Sequence, residues 1–174
     1  MKRLAFAAAV ALVLAACAST PDVQTDFDPS AQFSRYRTYA WTATPESGAP
    51  LMRQRITASI DAKLGEMGWT PAPATTADVV IAAQVITREQ LSIDSFPSGG
   101  GWGGWGPPGN GPARVRSYTV GTLVLDIFDA RTKRAVWRGT ASGALPKSSD
   151  KATAKTQEAI DRMFASFPGA NAKR

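Results

Sequence analysis

Apolar and polar positions alternate along some stretches of this chain and recur every three or four residues along others. The strongest alternation runs from Tyr118 to Ala141. Thr119, Gly121, Leu123, Leu125 and Ile127 fall on one face of a strand, with Tyr118, Val120, Thr122, Val124, Asp126 and Phe128 on the other. Asp129-Ala130-Arg131-Thr132-Lys133 breaks the pattern with turn-prone and charged residues, and Arg134 to Ala141 resumes it. The pattern predicts a hairpin with a loop of about five residues, a common length. Phe128 is expected to pair with Arg134, Ile127 to oppose Ala135, Leu125 to oppose Trp137 and Leu123 to oppose Gly139. Trp137 then lies on the buried face. On the other face Asp126 is diagonal to Arg138, within reach of a structural ion pair.

Further strands are predicted at Val23–Asp28, at Thr38–Trp41 and at Asp78–Leu91. The last carries Val79, Ile81, Ala83 and Val85 on one face and Val80, Ala82 and Ile86 on the other, so its first half belongs inside a sheet. Its polarity rises after Thr87, so its far end is expected to project into solvent. Phe33 and Tyr36 are expected to pack from a short turn after Asp28-Pro29-Ser30, and Trp69-Thr70 to add to a sheet edge. Two stretches have helical spacing. Leu51–Met67 carries a stripe of Met52, Ile56, Ile60, Leu64 and Met67, with Arg53, Arg55, Asp61, Lys63 and Glu66 mostly elsewhere and Gly68 as the stop. Lys151–Ser166 carries Ile160, Met163 and Phe164, continued by Phe167, with Asp150 as its expected cap. The order β-β-α-β-β-β-α predicts an α+β domain: a mainly antiparallel sheet of about five strands with both helices on one face.

Residues 95–112, SFPSGGGWGGWGPPGNGP, have no periodicity. Glycine loses too much backbone freedom, and proline lacks a donor, for this stretch to form part of a core. Gly101, Gly103 and Gly106 have the spacing of a dinucleotide fingerprint, but Pro107-Pro108 stand where that motif opens a helix, so the match is rejected. The stretch is expected to link two neighbouring strands at a hairpin tip. Trp102, Trp105 and Phe96 are its candidate contact residues, and a tolerated insertion is the plainer reading.

The N-terminus changes the setting. Lys2 and Arg3 precede an apolar run from Leu4 to Leu14, and Ala15-Ala16 precede Cys17, the sole cysteine. That is the layout of a secretory signal. Its Leu-Ala-Ala-Cys end resembles a bacterial lipobox, which implies cleavage before Cys17, acylation of that cysteine and a stable hold on the membrane by more than one acyl chain. By resemblance to enteric lipoprotein sorting, Ala18 in place of aspartate implies the outer membrane, facing the periplasm. The expected layout is a signal peptide at 1–16, an acylated cysteine and short tether at 17–22, one domain at 23–168 and a loose tail at 169–174. Removing residues 1–16 lowers Lys+Arg from 20 to 18 against 14 acidic residues, a net charge of +4. These basic residues are scattered, so nucleic acid is not an expected partner.

Gly121-Thr122-Leu123-Val124-Leu125-Asp126, Asp129 and Val136-Trp137-Arg138-Gly139 resemble the signature of the domain of unknown function 4136 family of bacterial lipoproteins. Asp28-Pro29, Phe33, Tyr36, Thr38-Tyr39-Ala40-Trp41 and Phe167-Pro168 agree with it. The resemblance implies an envelope lipoprotein and supplies no catalytic residues. The chain has no histidine, which removes the usual general base and the commonest metal ligand. There is no calcium-loop spacing and no Gly-Lys-Ser/Thr phosphate loop, so neither metal nor cofactor is expected. Asp126 with Asp129, or Glu89 with Asp94, remain as carboxylate pairs for a hydrolase, the third-ranked reading. The first is a non-enzymatic interaction or assembly module of the envelope, held to the membrane by Cys17 and meeting an envelope protein. The second is a ligand- or lipid-binding transport auxiliary with an apolar cleft between helices and sheet.

Overall fold

The computed structural model of the chain describes residues 20–45, 49–94 and 114–168. Within them lie β1 (Asp22–Phe27), a 3-10 turn (Phe33–Arg35), β2 (Thr38–Ala43), α1 (Pro50–Glu66), β3 (Thr70–Pro71), β4 (Val79–Asp94), β5 (Arg114–Asp129), β6 (Ala135–Ala144) and α2 (Ser149–Ala165). The strands form one sheet in the order β1-β6-β5-β4-β2-β3. Neighbours from β1 to β4 are antiparallel, whereas β2 runs parallel to both β4 and β3. The sheet is thus six-stranded and mixed, close to the expected mainly antiparallel sheet of about five strands, with three of its five pairings antiparallel and two parallel. The cause is α1: it crosses over between β2 and β4, and such a crossover returns the chain parallel to where it left. Thr70 and Pro71 then pair with Thr38 and Tyr39 as a two-residue edge.

Alternation along the strands sorts the sheet into two faces. Val79, Ile81 and Ala83, then Leu123, Leu125 and Ile127, with Trp137 and Ala141, form one buried cluster with Ile56, Ile60 and Leu64 of α1 and Ile160, Met163 and Phe164 of α2. Both helices therefore cover the same face. At one end of this core Phe33, Tyr36, Trp69 and Phe167 meet edge to face, with centroids 5.3–6.0 Å apart, a favoured arrangement of aromatic quadrupoles. Gly68 has φ of 85° and ends α1. Its N–H bonds the Gly65 carbonyl at 2.9 Å, and the Trp69 N–H bonds the Leu64 carbonyl at 2.9 Å, so the last turn is closed as a Schellman motif. At α2 the cap position is Ser148, not Asp150. Asp150 sits in the first turn, where its charge still faces the positive end of the helix dipole.

The β5–β6 hairpin keeps the expected faces but not the expected register. Asp126 lies directly opposite Arg138, Ile127 opposite Trp137, Leu125 opposite Gly139 and Leu123 opposite Ala141. This is two residues away from the pairing that alternation suggests. The turn is tighter by one residue, closed by Asp129 N–H to the Arg134 carbonyl at 3.0 Å, with Lys133 at φ 60°. A bulge at Val136, between the Phe128–Ala135 and Ile127–Trp137 pairs, absorbs a second residue. Two slips of one restore the faces, except that Ala135 is exposed and Val136 is buried instead.

Candidate functional site

The two ends of the sheet differ in chemistry. At one end the N-terminal halves of α1 and α2 and the sheet line an apolar groove of about 430 Å³. Met52 and Ile56 of α1, Ala152 and Ala159 of α2, Val85 and Leu123 of the sheet, and Leu145 line it. The missing side chains of Gly121 and Gly143 let Leu145 and Pro21 pack down onto the sheet as part of the lining. A Cβ on Gly121 would lie 2.8 Å from Leu145 Cδ2, so the leucine folds over the strand there. Pro21 also lines the groove, and Arg162 Nη1 donates to its carbonyl oxygen at 2.9 Å. The chain thus enters the domain at the rim of this groove.

From the same end β4 and β5 run on without their neighbours. The last β2 pair is Ala43 with Ala82, and the last β6 pair is Ala144 with Val120, followed by a bond from the Leu145 N–H to the Thr119 carbonyl. Pairing of β4 with β5 continues to Asp94 and Arg114. From Gln90 and Tyr118 outward the two strands form an arm unflanked by any other strand among the described residues. Five residues on each side give it a length of roughly 17 Å. Tyr118 Oη donates to Gln90 Oε1 across the arm at 2.8 Å. Leu91 is 72% exposed and Tyr118 41%. A ribbon of this kind, without flanking strands among the described residues, is a geometry that strand addition can extend.

The opposite end is polar. Asp28, Asp78 and Asp129 line a recess of about 440 Å³ with Arg35, Arg131 and Arg134. Each carboxylate is already engaged. Asp78 Oδ2 accepts the backbone N–H groups of Arg37 and Thr38 at 2.8 and 2.9 Å, joining the starts of β2 and β4. Asp129 Oδ1 accepts the Arg131 and Thr132 N–H groups, while its Oδ2 accepts Tyr36 Oη at 3.0 Å. Asp28 Oδ1 accepts the Ser30 hydroxyl and N–H. These bonds, led by the Ser30 hydroxyl at Asp28, the Arg37 amide at Asp78 and the Thr132 amide at Asp129, hold all three carboxyls below the ordinary aspartate value. A carboxylate held ionised in this way accepts hydrogen bonds but makes a poor general acid. Among the described residues no three carboxylates come together as metal ligands.

The family model of the domain of unknown function DUF4136 matches residues 23–169. The chain belongs to the DUF4136 family. A crystal structure of a DUF4136 protein from Bacteroides thetaiotaomicron VPI-5482 is similar, with 18% identity and a TM-score of 0.58, over 88% of this chain and 98% of that one. The PelC dodecamer from Paraburkholderia phytofirmans matches at 12% identity and a TM-score of 0.54, over 89% of this chain and 100% of that one. A PDZ domain protein from Parabacteroides distasonis matches at 13% identity and a TM-score of 0.55, over 86% of this chain but 36% of its own. No curated protein matches the sequence.

Within this DUF4136 domain Arg138 Nε and Nη2 donate to the two carboxylate oxygens of Asp126, at 2.5 and 3.0 Å. The pair is directly cross-strand, not diagonal, because of the register shift. Asp126 and Asp129 are each taken by their own partners, so the fold does not present them as a catalytic pair. Cys17, Phe96, Trp102 and Trp105 lie outside the described residues, as does the side chain of Asp94. Sequence reasoning missed Asp61. It stands on the sheet side of α1, and its Oδ1 accepts Tyr39 Oη at 2.9 Å and Trp41 Nε1 at 2.8 Å. The helical stripe gave no sign of this, because the donors sit some twenty residues away on β2. The groove was missed as a place, though Gly121 and Gly143 at matched positions of β5 and β6 were its available signal.

Proposed function

We propose that the protein is a membrane-anchored, periplasm-facing envelope lipoprotein that acts by binding other envelope components and not by catalysis. The observation that carries this reading is the β4–β5 arm. It runs out beyond its flanking strands among the described residues, with Leu91 and Tyr118 exposed, a geometry suited to strand addition or edge-on contact by another protein. In the sequence, the Gly/Trp stretch 95–112 falls between its two strands. The lipobox-like Leu14-Ala15-Ala16-Cys17 supports lipid anchoring, and the engaged carboxylates support a non-enzymatic role. PelC, which shares the fold, assembles as a dodecamer, and assembly through this fold accords with a binding module.

A photocrosslinking residue at Leu91, compared with one at Arg131 in the polar recess, tests the reading in intact envelope. Discrete adducts from Leu91 alone are expected. Equal labelling from both positions would remove the arm from consideration. The apolar groove favours a second reading, a lipid-binding auxiliary, for which lipid co-purified with the unacylated Cys17→Ser protein would be the supporting result.

A further inference from the structure

We infer that the apolar groove seats one acyl chain of the protein's own lipidated N-terminus. The inference rests on the acylation of Cys17 proposed above. The path of the chain is its first support. Pro21 is buried in the groove lining, Arg162 holds its carbonyl, and Asp22 begins β1 opposite Ser142. Cys17 is four residues before this fixed point, so it can lie at most about 14 Å from the groove.

The chemistry of the lining is the second support. Met52, Ile56, Val85, Leu123, Leu145 and Ala152 offer methyl, methylene and thioether surface. The volume of about 430 Å³ falls in the range of small-ligand pockets, roughly 300–1,000 Å³. Small residues on the α2 wall (Ala152 and Ala159), facing Val85, Leu123 and Leu145, leave a surface suited to an unbranched, flexible chain. An acyl chain gains little by exchanging bilayer for groove, since both are apolar. What is gained is the removal of the groove's own surface from water. The short tether makes that encounter intramolecular, which favours the protein's own chain over a bilayer lipid at the same site. One consequence follows for anchoring. A chain lodged in the groove no longer holds the membrane, so fewer chains are left to anchor the protein. Occupancy of the groove therefore sets how firmly the domain is held.

The test uses the full-length protein in its own membrane, in cells supplied with a diazirine-bearing fatty acid that labels lipids and lipoprotein alike. After irradiation, cross-linked peptides are identified by mass. Cross-links joining the Cys17 peptide to peptides carrying Met52, Val85 or Leu145 are expected. Ala152→Phe, which fills the groove, should abolish them while leaving Cys17 acylated. Phospholipid adducts on the groove peptides in place of these cross-links would overturn the inference in favour of a bilayer lipid. A labelled Cys17 whose chains cross-link only to lipid would overturn it as well. An unlabelled Cys17 would instead sink the acylation reading, and this inference with it.

Discussion

Gly139 shows how closely single residues are fitted in this core. Its missing side chain is replaced by the ring of Trp137, two residues earlier on the same face, and by Met163 of α2, whose Sδ would lie 2.9 Å from a Cβ. Trp137 in turn packs against Phe164 and Phe167, with centroids 5.7 and 5.4 Å away. Its indole N–H is buried without a partner among the described residues, a cost of about 1–3 kcal/mol that the ring's burial must exceed. Trp137→Ala should lose roughly 3–5 kcal/mol. Trp137→Phe should lose less, because it also removes the orphan donor. Gly139→Ala should cost about 1–3 kcal/mol by overpacking. Urea denaturation midpoints rank the three, and a Gly139→Ala protein as stable as the parent would contradict this packing. Two tyrosines set a pH limit at the same scale. Burial, then the bonds to Asp129 and Asp61, push Tyr36 and Tyr39 up from 10 to about 12. Between those values the folded state keeps protons that the unfolded chain gives up. Their stabilisation is complete below pH 10 and is lost as pH rises through 12. The melting temperature should fall across that window, and the slope should flatten in a Tyr36→Phe/Tyr39→Phe double variant. An unchanged slope would assign the fall to other groups. The depressed aspartates act oppositely: their contribution is present above 3.8 and is lost as pH falls below it.

At the scale of elements, legibility followed periodicity. Both helices could be read from apolar stripes, since Ile56, Ile60 and Leu64, and Ile160, Met163 and Phe164, recur at the spacing that a buried helix face demands. The inner strands could be read from alternation. Direction could not, because a period of two is the same in parallel and antiparallel pairs, and only the α1 crossover decides that β2 lies parallel to β4. Register was lost for a local reason. Asp129 tightens the turn by accepting two of its amides, and the bulge at Val136 then adds a residue that no alternation announces. The expected cleft between helices and sheet could not be located along the chain because its lining comes from six separate segments, none of them unusual alone. The turn gives a prediction of its own. Lys133 holds φ of 60°, where a side chain costs about 1–2 kcal/mol. Glycine relieves that cost but loses roughly 0.5–1 kcal/mol through the entropy of the unfolded chain. Lys133→Gly should therefore stabilise the domain by no more than about 1.5 kcal/mol, and Lys133→Val should destabilise it. Chemical denaturation of the pair checks the sign of each change.

The molecule as a whole is polarised along β4. The chain begins the domain at Pro21, beside the apolar groove and at the base of the arm, whereas the recess of Asp28, Asp78 and Asp129 lies at the other end of the same strand. No helix among the described residues is long and apolar enough to cross a membrane. Under the proposed acylation, attachment comes through the few residues before Pro21, which cannot hold the domain far from the surface. A tether this short also orients what it holds. The apolar groove and the arm should face the bilayer, and the turn at Ala130–Lys133 should point away. The measurement is depth-dependent quenching of a fluorophore on single cysteines at Thr87, near the groove, and at Arg131, in the polar recess. The protein would be acylated and reconstituted in vesicles that carry quencher on the lipid headgroups. Strong quenching is expected at Thr87 and little at Arg131, because about ten β-strand residues separate the two levels of the sheet, roughly 30 Å. The Cys17→Ser background supplies the control, since without the anchor both positions should be quenched equally and weakly. Equal quenching in the acylated protein would mean that the domain tumbles freely on its tether, and the groove could not then be regarded as membrane-facing.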